Sequence, residues 1–224
     1  MLPIIAGVVA VAAVAGGVYS YVSSKRAGSE VKKPEPKCLG DFAVWGQPDT
    51  GKTTFIARLR GVEPGEKEQT TSLKRYGRFR LKGVDGGPFE IKALVDMPGS
   101  RDRLDDWLAQ VESNRHVFYV VSLAKVAEEH YRRKVRFDIE RTVERLAAAG
   151  SGCNRVNIIG THLDQSEWKS VDEARVNNVI MQDPCMREVR ELFGAVAGYV
   201  YSANLMDKNS AARLLQDLVN DCNG

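Results

Sequence analysis

Gly46-Gln-Pro-Asp-Thr-Gly-Lys-Thr53 fits the pattern G-x-x-x-x-G-K-[ST] at every fixed position. A loop of this kind turns successive backbone N–H groups inward around an anion. Lys52 would set a point charge on the outer phosphates, and the Thr53 hydroxyl would ligate Mg²⁺. Gly46, Asp49, Thr50, Gly51 and Thr54 would contribute the rest of the phosphate-contacting loop. The flanks agree. Asp41-Phe-Ala-Val-Trp45 reads as a short buried strand, and residues 54–60 read as a helix ending at Gly61. A helix starting here aims its dipole at the phosphates. The octapeptide alone occurs by chance; framed by strand and helix it predicts nucleotide binding.

A second strand end repeats the theme. Leu94-Val-Asp-Met-Pro-Gly99 is an apolar run ending in D-x-x-G. Asp96 could hold Mg²⁺ through a water, and the Gly99 N–H could sense a γ-phosphate. Taken singly, the segment is also an ordinary strand followed by a Pro-Gly turn. A third strand, Ile158-Ile-Gly-Thr-His-Leu-Asp164, runs into a polar end. A fourth, over residues 197–201, ends in Tyr201-Ser202-Ala203-Asn204.

Four motifs in this order, each at a strand end, resemble the translation-factor-related class of small GTPases over residues 38–224. That resemblance implies an α/β P-loop NTPase G domain: a doubly wound, mostly parallel sheet with one antiparallel strand and GTP or GDP with Mg²⁺ as ligands. It gives Asp164 the role of guanine reader, accepting from N1–H and N2–H₂, a pair that adenine does not present. Relatives carry N/T-K-x-D here. In Thr161-His162-Leu163-Asp164 the acid is kept, Thr stands for Asn, and His162 stands for the lysine whose stem packs on the base. The T-H-x-D form is similar to the G domains of Roco proteins. The backbone at Ser202 and Ala203 would support guanine O6. The family also closes a threonine over Mg²⁺ and γ-phosphate. Glu68-Gln69-Thr70-Thr71-Ser72 supplies the candidates, with Thr71 favoured over Thr70.

The residue after D-x-x-G departs from the family. Many relatives have glutamine there to orient the attacking water; this chain has Ser100, then Arg101-Asp-Arg103. Serine is too short for that task, so slow hydrolysis is expected. Arg101 or Arg103 as a charge donor in cis competes with the plainer reading of solvated loop charges. Asp49 stands where cation-dependent relatives carry an Asn ligand to K⁺, and it keeps an oxygen for that ion.

Residues 2–22 carry no charge. About 20 helical residues cross the ~30 Å hydrocarbon layer. Tyr19 and Tyr21 sit near one end, and Lys25, Arg26, Lys32, Lys33 and Lys37 follow. The expected organisation is therefore a transmembrane anchor (1–22), a basic polar linker (23–37) and a G domain (38–224) facing the cytoplasm. The membrane is either a bacterial inner membrane or the endoplasmic reticulum. A cleaved signal peptide is the rival, weakened by the missing basic n-region and the long apolar run. The anchor, the loop and Asp96-Met-Pro-Gly99 together are similar to the beta subunit of the signal-recognition-particle receptor and to Arf-like GTPases.

The whole chain carries a net charge of +3, which the linker accounts for. The near-neutral body gives no case for nucleic-acid binding. Cys38, Cys153, Cys185 and Cys222 lack metal spacing and read as free thiols. In Glu128–Ala149, Tyr131, Val135, Ile139, Val143 and Leu146 mark a helix whose other face is basic. That face is either simply solvated or a partner or lipid surface. Two functions fit: a slow GTP-hydrolysing switch that recruits a cytosolic partner, or a docking subunit that holds GTP constitutively. An ATPase is the third reading and requires Asp164 to be misassigned.

Overall fold

The computed structural model describes residues 35–65, 72–99, 103–149 and 155–223. The expected anchor and nearly all of the linker, Thr70, Thr71, Ser100, Arg101 and Cys153 lie outside the described residues. No helix among the described residues is long and apolar enough to cross a membrane.

Among the described residues, seven strands form one sheet: β1 (Lys37–Trp45), β2 (Lys74–Tyr76), β3 (Phe79–Arg80), β4 (Phe89–Asp96), β5 (His116–Ser122), β6 (Arg155–Thr161) and β7 (Ala197–Ser202). Their order is β2-β4-β1-β5-β6-β7, with β3 also on β4. Every pairing among β4, β1, β5, β6 and β7 is parallel. Strands β2 and β3 run antiparallel to β4. One antiparallel strand was expected, and it falls on residues 74–80 at one edge of the sheet. The structure keeps that edge but breaks it at Gly77-Arg78 into two short pieces, so its ladder to β4 is interrupted.

Six helices among the described residues cover the sheet: α1 (Lys52–Leu59), α2 (Leu104–Ser113), α3 (Glu129–Ala149), α4 (Glu173–Ile180), α5 (Pro184–Phe193) and α6 (Lys208–Cys222). They divide between two apolar cores. One joins Trp107 and Val111 of α2, Ile139 of α3, Val176 of α4 and Val189 of α5 to the sheet. The other joins Phe55 and Leu59 of α1 and Leu214 and Leu218 of α6 to the opposite face. Strand β5 lies between β1 and β6 and is buried from Val117 to Ser122. That explains its unbroken apolar run, since a strand covered on both faces has no solvent side to alternate with.

Local signals account for several helix ends. Helix α1 stops in a Schellman turn: Gly61 N–H donates to Arg58 O at 3.0 Å and Val62 N–H to Ala57 O at 2.9 Å. Helix α5 starts at Asp183, whose carboxylate accepts from Cys185 N–H at 2.8 Å and Met186 N–H at 3.2 Å, with Pro184 in the first turn. The expected stripe on α3 is inside, with Tyr131, Val135, Ile139 and Leu146 buried. Its basic face is largely cross-linked. Arg136 pairs with Glu188 of α5, Arg145 with Glu112 of α2 at 2.6 Å, and Arg141 with Glu144 at 2.8 Å. That face is thus solvated, with ion pairs at Arg136, Arg141 and Arg145.

Candidate nucleotide-binding site

The phosphate loop sits where β1 leaves the sheet and α1 begins. Gly46 has φ 138°, and a Cβ there would fall 2.2 Å from Val120 O on β5. Only glycine fits between the loop and that strand. Gly51 caps α1 at φ 82°, ψ 15°, and Asp49 also takes the left-handed region at φ 57°. Left-handed backbone at a non-glycine residue costs about 1 kcal/mol and concentrates at functional turns. Side chains then lock the turn. Thr50 Oγ1 donates to Gln47 O at 2.9 Å. Lys52 Nζ donates to Gly46 O at 3.0 Å and to Gln47 O at 2.7 Å.

Lys52 is 6 % exposed. Burial pulls its ammonium down to about 8, against the opposing pull of Asp96, then Asp49, then Asp138. A desolvated cation surrounded by acids has much to gain from a phosphate. Asp96 ends β4 level with Val44 of β1 and is fully buried. Three residues later, the Gly99 backbone lies against the loop: a Cβ would be 2.6 Å from Pro48 N and 3.0 Å from Gly46 O. The two phosphate motifs thus share one small space.

The base motif is tied to the same place. Thr161 ends β6, and its Oγ1 lies 2.7 Å from Thr50 O and 3.2 Å from Val121 O, donating toward both. Thr161 thus joins the loop after β6 to the phosphate loop. His162 has φ 55°, and its Nδ1 lies 3.1 Å from Thr161 Oγ1 and 3.2 Å from Ser122 Oγ. Its Cε1 is 3.6 Å from where a Gly51 Cβ would be, so the ring rests at the start of α1. Asp164 is exposed in the short turn Leu163–Gln165, open to a ligand from solvent. Beside it, Ser202 pairs in register with Gly160. Ser202 Oγ donates to Asn177 Oδ1 at 2.6 Å, and Ala203 N–H donates to Gly160 O at 2.9 Å.

The structure therefore brings the phosphate loop (residues 46–54), Asp96, Gly99, Thr161 and His162 together, and sets Asp164, Ser202 and Ala203 at neighbouring strand ends. Thr53 is exposed on the first turn of α1. Arg103 stands apart, paired with Asp106 at 3.0 Å on the surface of α2, as a solvated charge would be.

Sequence reasoning missed Asp138. This α3 carboxylate is buried, accepts from the Gln47 side-chain amide, and lies 3.4 Å from the Tyr119 hydroxyl. One signal was available. Asp138 falls on the apolar stripe of α3, between Val135 and Ile139, where an acid has no place without partners.

The donor set suits a hard cation. Among the described residues, no group of three or more His, Cys, Asp or Glu could hold a metal unaided. One buried carboxylate (Asp96) and one hydroxyl (Thr53), completed by phosphate oxygens and water, match what Mg²⁺ takes in phosphoryl-transfer sites.

Known proteins share this fold. A family model described as 50S ribosome-binding GTPase matches residues 41–161, from β1 through the first residue of the base motif. The small GTPase Arl6 (BBS3) from Trypanosoma brucei, solved with the nucleotide analogue GppNp, is similar at a TM-score of 0.53 and 15% identity. The match covers 80% of this chain and 96% of that one. At that identity the likeness bears on the fold alone. No curated protein matches the chain. The family match spans more than half of the sequence and contains the loop, Asp96, Gly99 and Thr161, so the chain belongs to the GTPase family described as 50S ribosome-binding.

Proposed function

We propose that this protein is a membrane-anchored GTP-binding switch that hydrolyses GTP to GDP slowly and recruits a cytosolic protein partner in its GTP form. The observation that supports the nucleotide-binding part of this reading is the hydrogen bond from Thr161 Oγ1 to Thr50 O, which joins the loop after β6 to the phosphate loop. A base reader and a phosphate cradle joined this way favour one whole nucleotide over free phosphate.

The chain's own residues divide the work. The loop from Gly46 to Thr54 binds the phosphates through its backbone. Lys52, desolvated among three acids, supplies the charge that offsets the anion. Thr53 and Asp96 would hold Mg²⁺, which when bound spreads the charge that develops on the phosphates. Asp164 selects guanine, and His162 offers a flat ring beside it. Thr71 is the proposed closing threonine. Nothing in this set orients water. Ser100 replaces the family's glutamine, and the Gln47 amide is committed to Asp138. Slow turnover follows, with an activator in trans expected to supply the missing group. Asp49 is proposed as a K⁺ ligand through a carboxylate oxygen.

The same replacement favours a second reading, a docking subunit that keeps GTP and scarcely turns over. Multiple-turnover phosphate release by the full-length protein separates the two. Slow release that K⁺ or a cytosolic extract speeds up supports the switch. No release above the buffer blank, with GTP still bound, supports the docking subunit. The proposed lipid contact is made by residues 2–22. Recovery of the full-length protein with membranes after a carbonate wash supports it, and release of the protein by the wash refutes it.

A further inference from the structure

Gln47 is one of the variable positions of the phosphate-loop motif, yet both its carbonyl and its side chain are bonded. The carbonyl accepts from Lys52 Nζ at 2.7 Å and from Thr50 Oγ1 at 2.9 Å. The side-chain amide donates to Asp138 Oδ2 on α3, a carboxylate 5 % exposed. The same oxygen lies 3.4 Å from the Tyr119 hydroxyl on β5. The Asp138 carbonyl is also engaged, accepting from Thr142 Oγ1 at 2.8 Å. The pair lines a small pocket shared with Trp45, Pro98, Gly99 and Leu104, where the phosphate loop, the D-x-x-G segment and α2 meet.

An acid buried among apolar side chains is destabilising unless donors satisfy it. When its partners satisfy it, a buried polar pair of this kind also fixes local geometry. Here the geometry belongs to the loop. Pinning the Gln47 side chain to α3 fixes the orientation of the peptide whose carbonyl Lys52 and Thr50 grip. Those grips in turn set where the loop's N–H groups point.

We propose that Asp138 and Gln47 are positioning residues for nucleotide binding: a buried amide–carboxylate clamp through which α3 holds the phosphate loop in its binding shape, with neither side chain touching the nucleotide. The inference rests on the reading that the chain binds guanine nucleotide. Ordering contributed by the clamp is shared by GDP and GTP, because both use the same loop backbone.

The test is a reciprocal exchange in the full-length protein, read with fluorescent GDP and a fluorescent non-hydrolysable GTP analogue. Gln47→Glu sets two carboxylates face to face and is expected to weaken both ligands about tenfold or more. Asp138→Asn keeps an acceptor for Gln47 and should bind within about threefold of wild type. The double variant Gln47→Glu/Asp138→Asn restores one donor and one acceptor in reversed order, and should recover most of the loss. A part that only stabilises the core would lower the melting temperature without this recovery of affinity. Gln47→Met removes the donor without adding charge, and is expected to weaken both ligands even if Gln47→Glu does not fold. Wild-type affinity in Gln47→Met, or no recovery in the double variant, overturns the clamp. Amide hydrogen exchange over residues 46–53 without nucleotide is a readout independent of the ligand. Faster exchange in Gln47→Met supports the clamp, and unchanged exchange overturns it. Failure of wild type to bind either nucleotide refutes the GTP-binding reading and leaves the exchange result to judge the clamp.

Discussion

Lys52 concentrates the electrostatics of the site in one side chain. Its folded value of about 8 lies below the ordinary 10.5. Between those values the unfolded chain holds a proton that the folded chain has lost, so stability rises with pH across that window. Below pH 8 the cost of burying the cation is fully present, about 3 kcal/mol by the size of the shift. Phosphate favours the charged form, so nucleotide affinity should run the other way, highest below pH 8 and falling as pH rises through it. Opposite slopes in melting temperature and in GDP affinity between pH 7.5 and 9.5 are the expected pair of results; parallel slopes would remove Lys52 from the binding step. Thr161 makes an equally local case. Thr161→Val keeps the shape but withdraws the donor from Thr50 O, costing about 1–2 kcal/mol. Isothermal titration should show GDP bound about tenfold more weakly.

At the scale of elements, the unit that decides the site is β1, the loop and α1. Gly46→Ala forces a Cβ into the Val120 carbonyl and should abolish nucleotide binding while lowering the melting temperature by several degrees. Scanning calorimetry and a binding titration check both. Phe55→Ala opens a cavity under α1 and should cost about 3–5 kcal/mol, read from urea denaturation. Much of this unit is legible in the sequence because its signals are local: a fixed spacing, an apolar strand, a helix closed by Gly61. Strand β5 and the α3 stripe are legible for the same reason, since their apolar runs report burial directly. What escapes the sequence is tertiary. The break at Gly77-Arg78 has no spacing signal, and α2 and α4 are short, without the long apolar period that marks α3. Asp138 is an acid on a buried stripe, yet only the fold shows that its partner is Gln47, 91 residues away. The direction of the Ser202 hydroxyl, toward Asn177, is likewise settled by helix α4 packing beside β7.

On the scale of the whole molecule, a sheet covered on both faces places its ligand at the strands' carboxyl ends, and the four motifs fall there. The two cores pack against the two faces of that sheet, while exposed ion pairs on α3 add little in salt. The described cysteines, Cys38, Cys185 and Cys222, are free thiols. Burial pushes Cys185 up to about 11 and Cys222 up to about 12, so neither is a reactive nucleophile at neutral pH. The proposed function thus centres on one constellation: the phosphate loop, Asp96, Thr161 and Asp164 as the site for a single guanine nucleotide. Its most direct test is a fluorescent GDP titration with Mg²⁺, competed by unlabelled GTP and by ATP, in wild type and Asp164→Ala. GTP should displace the probe at least about a hundredfold better than ATP in wild type, and Asp164→Ala should lose most of that preference. Equal displacement by ATP, or a preference that survives in Asp164→Ala, would contradict guanine recognition by this constellation.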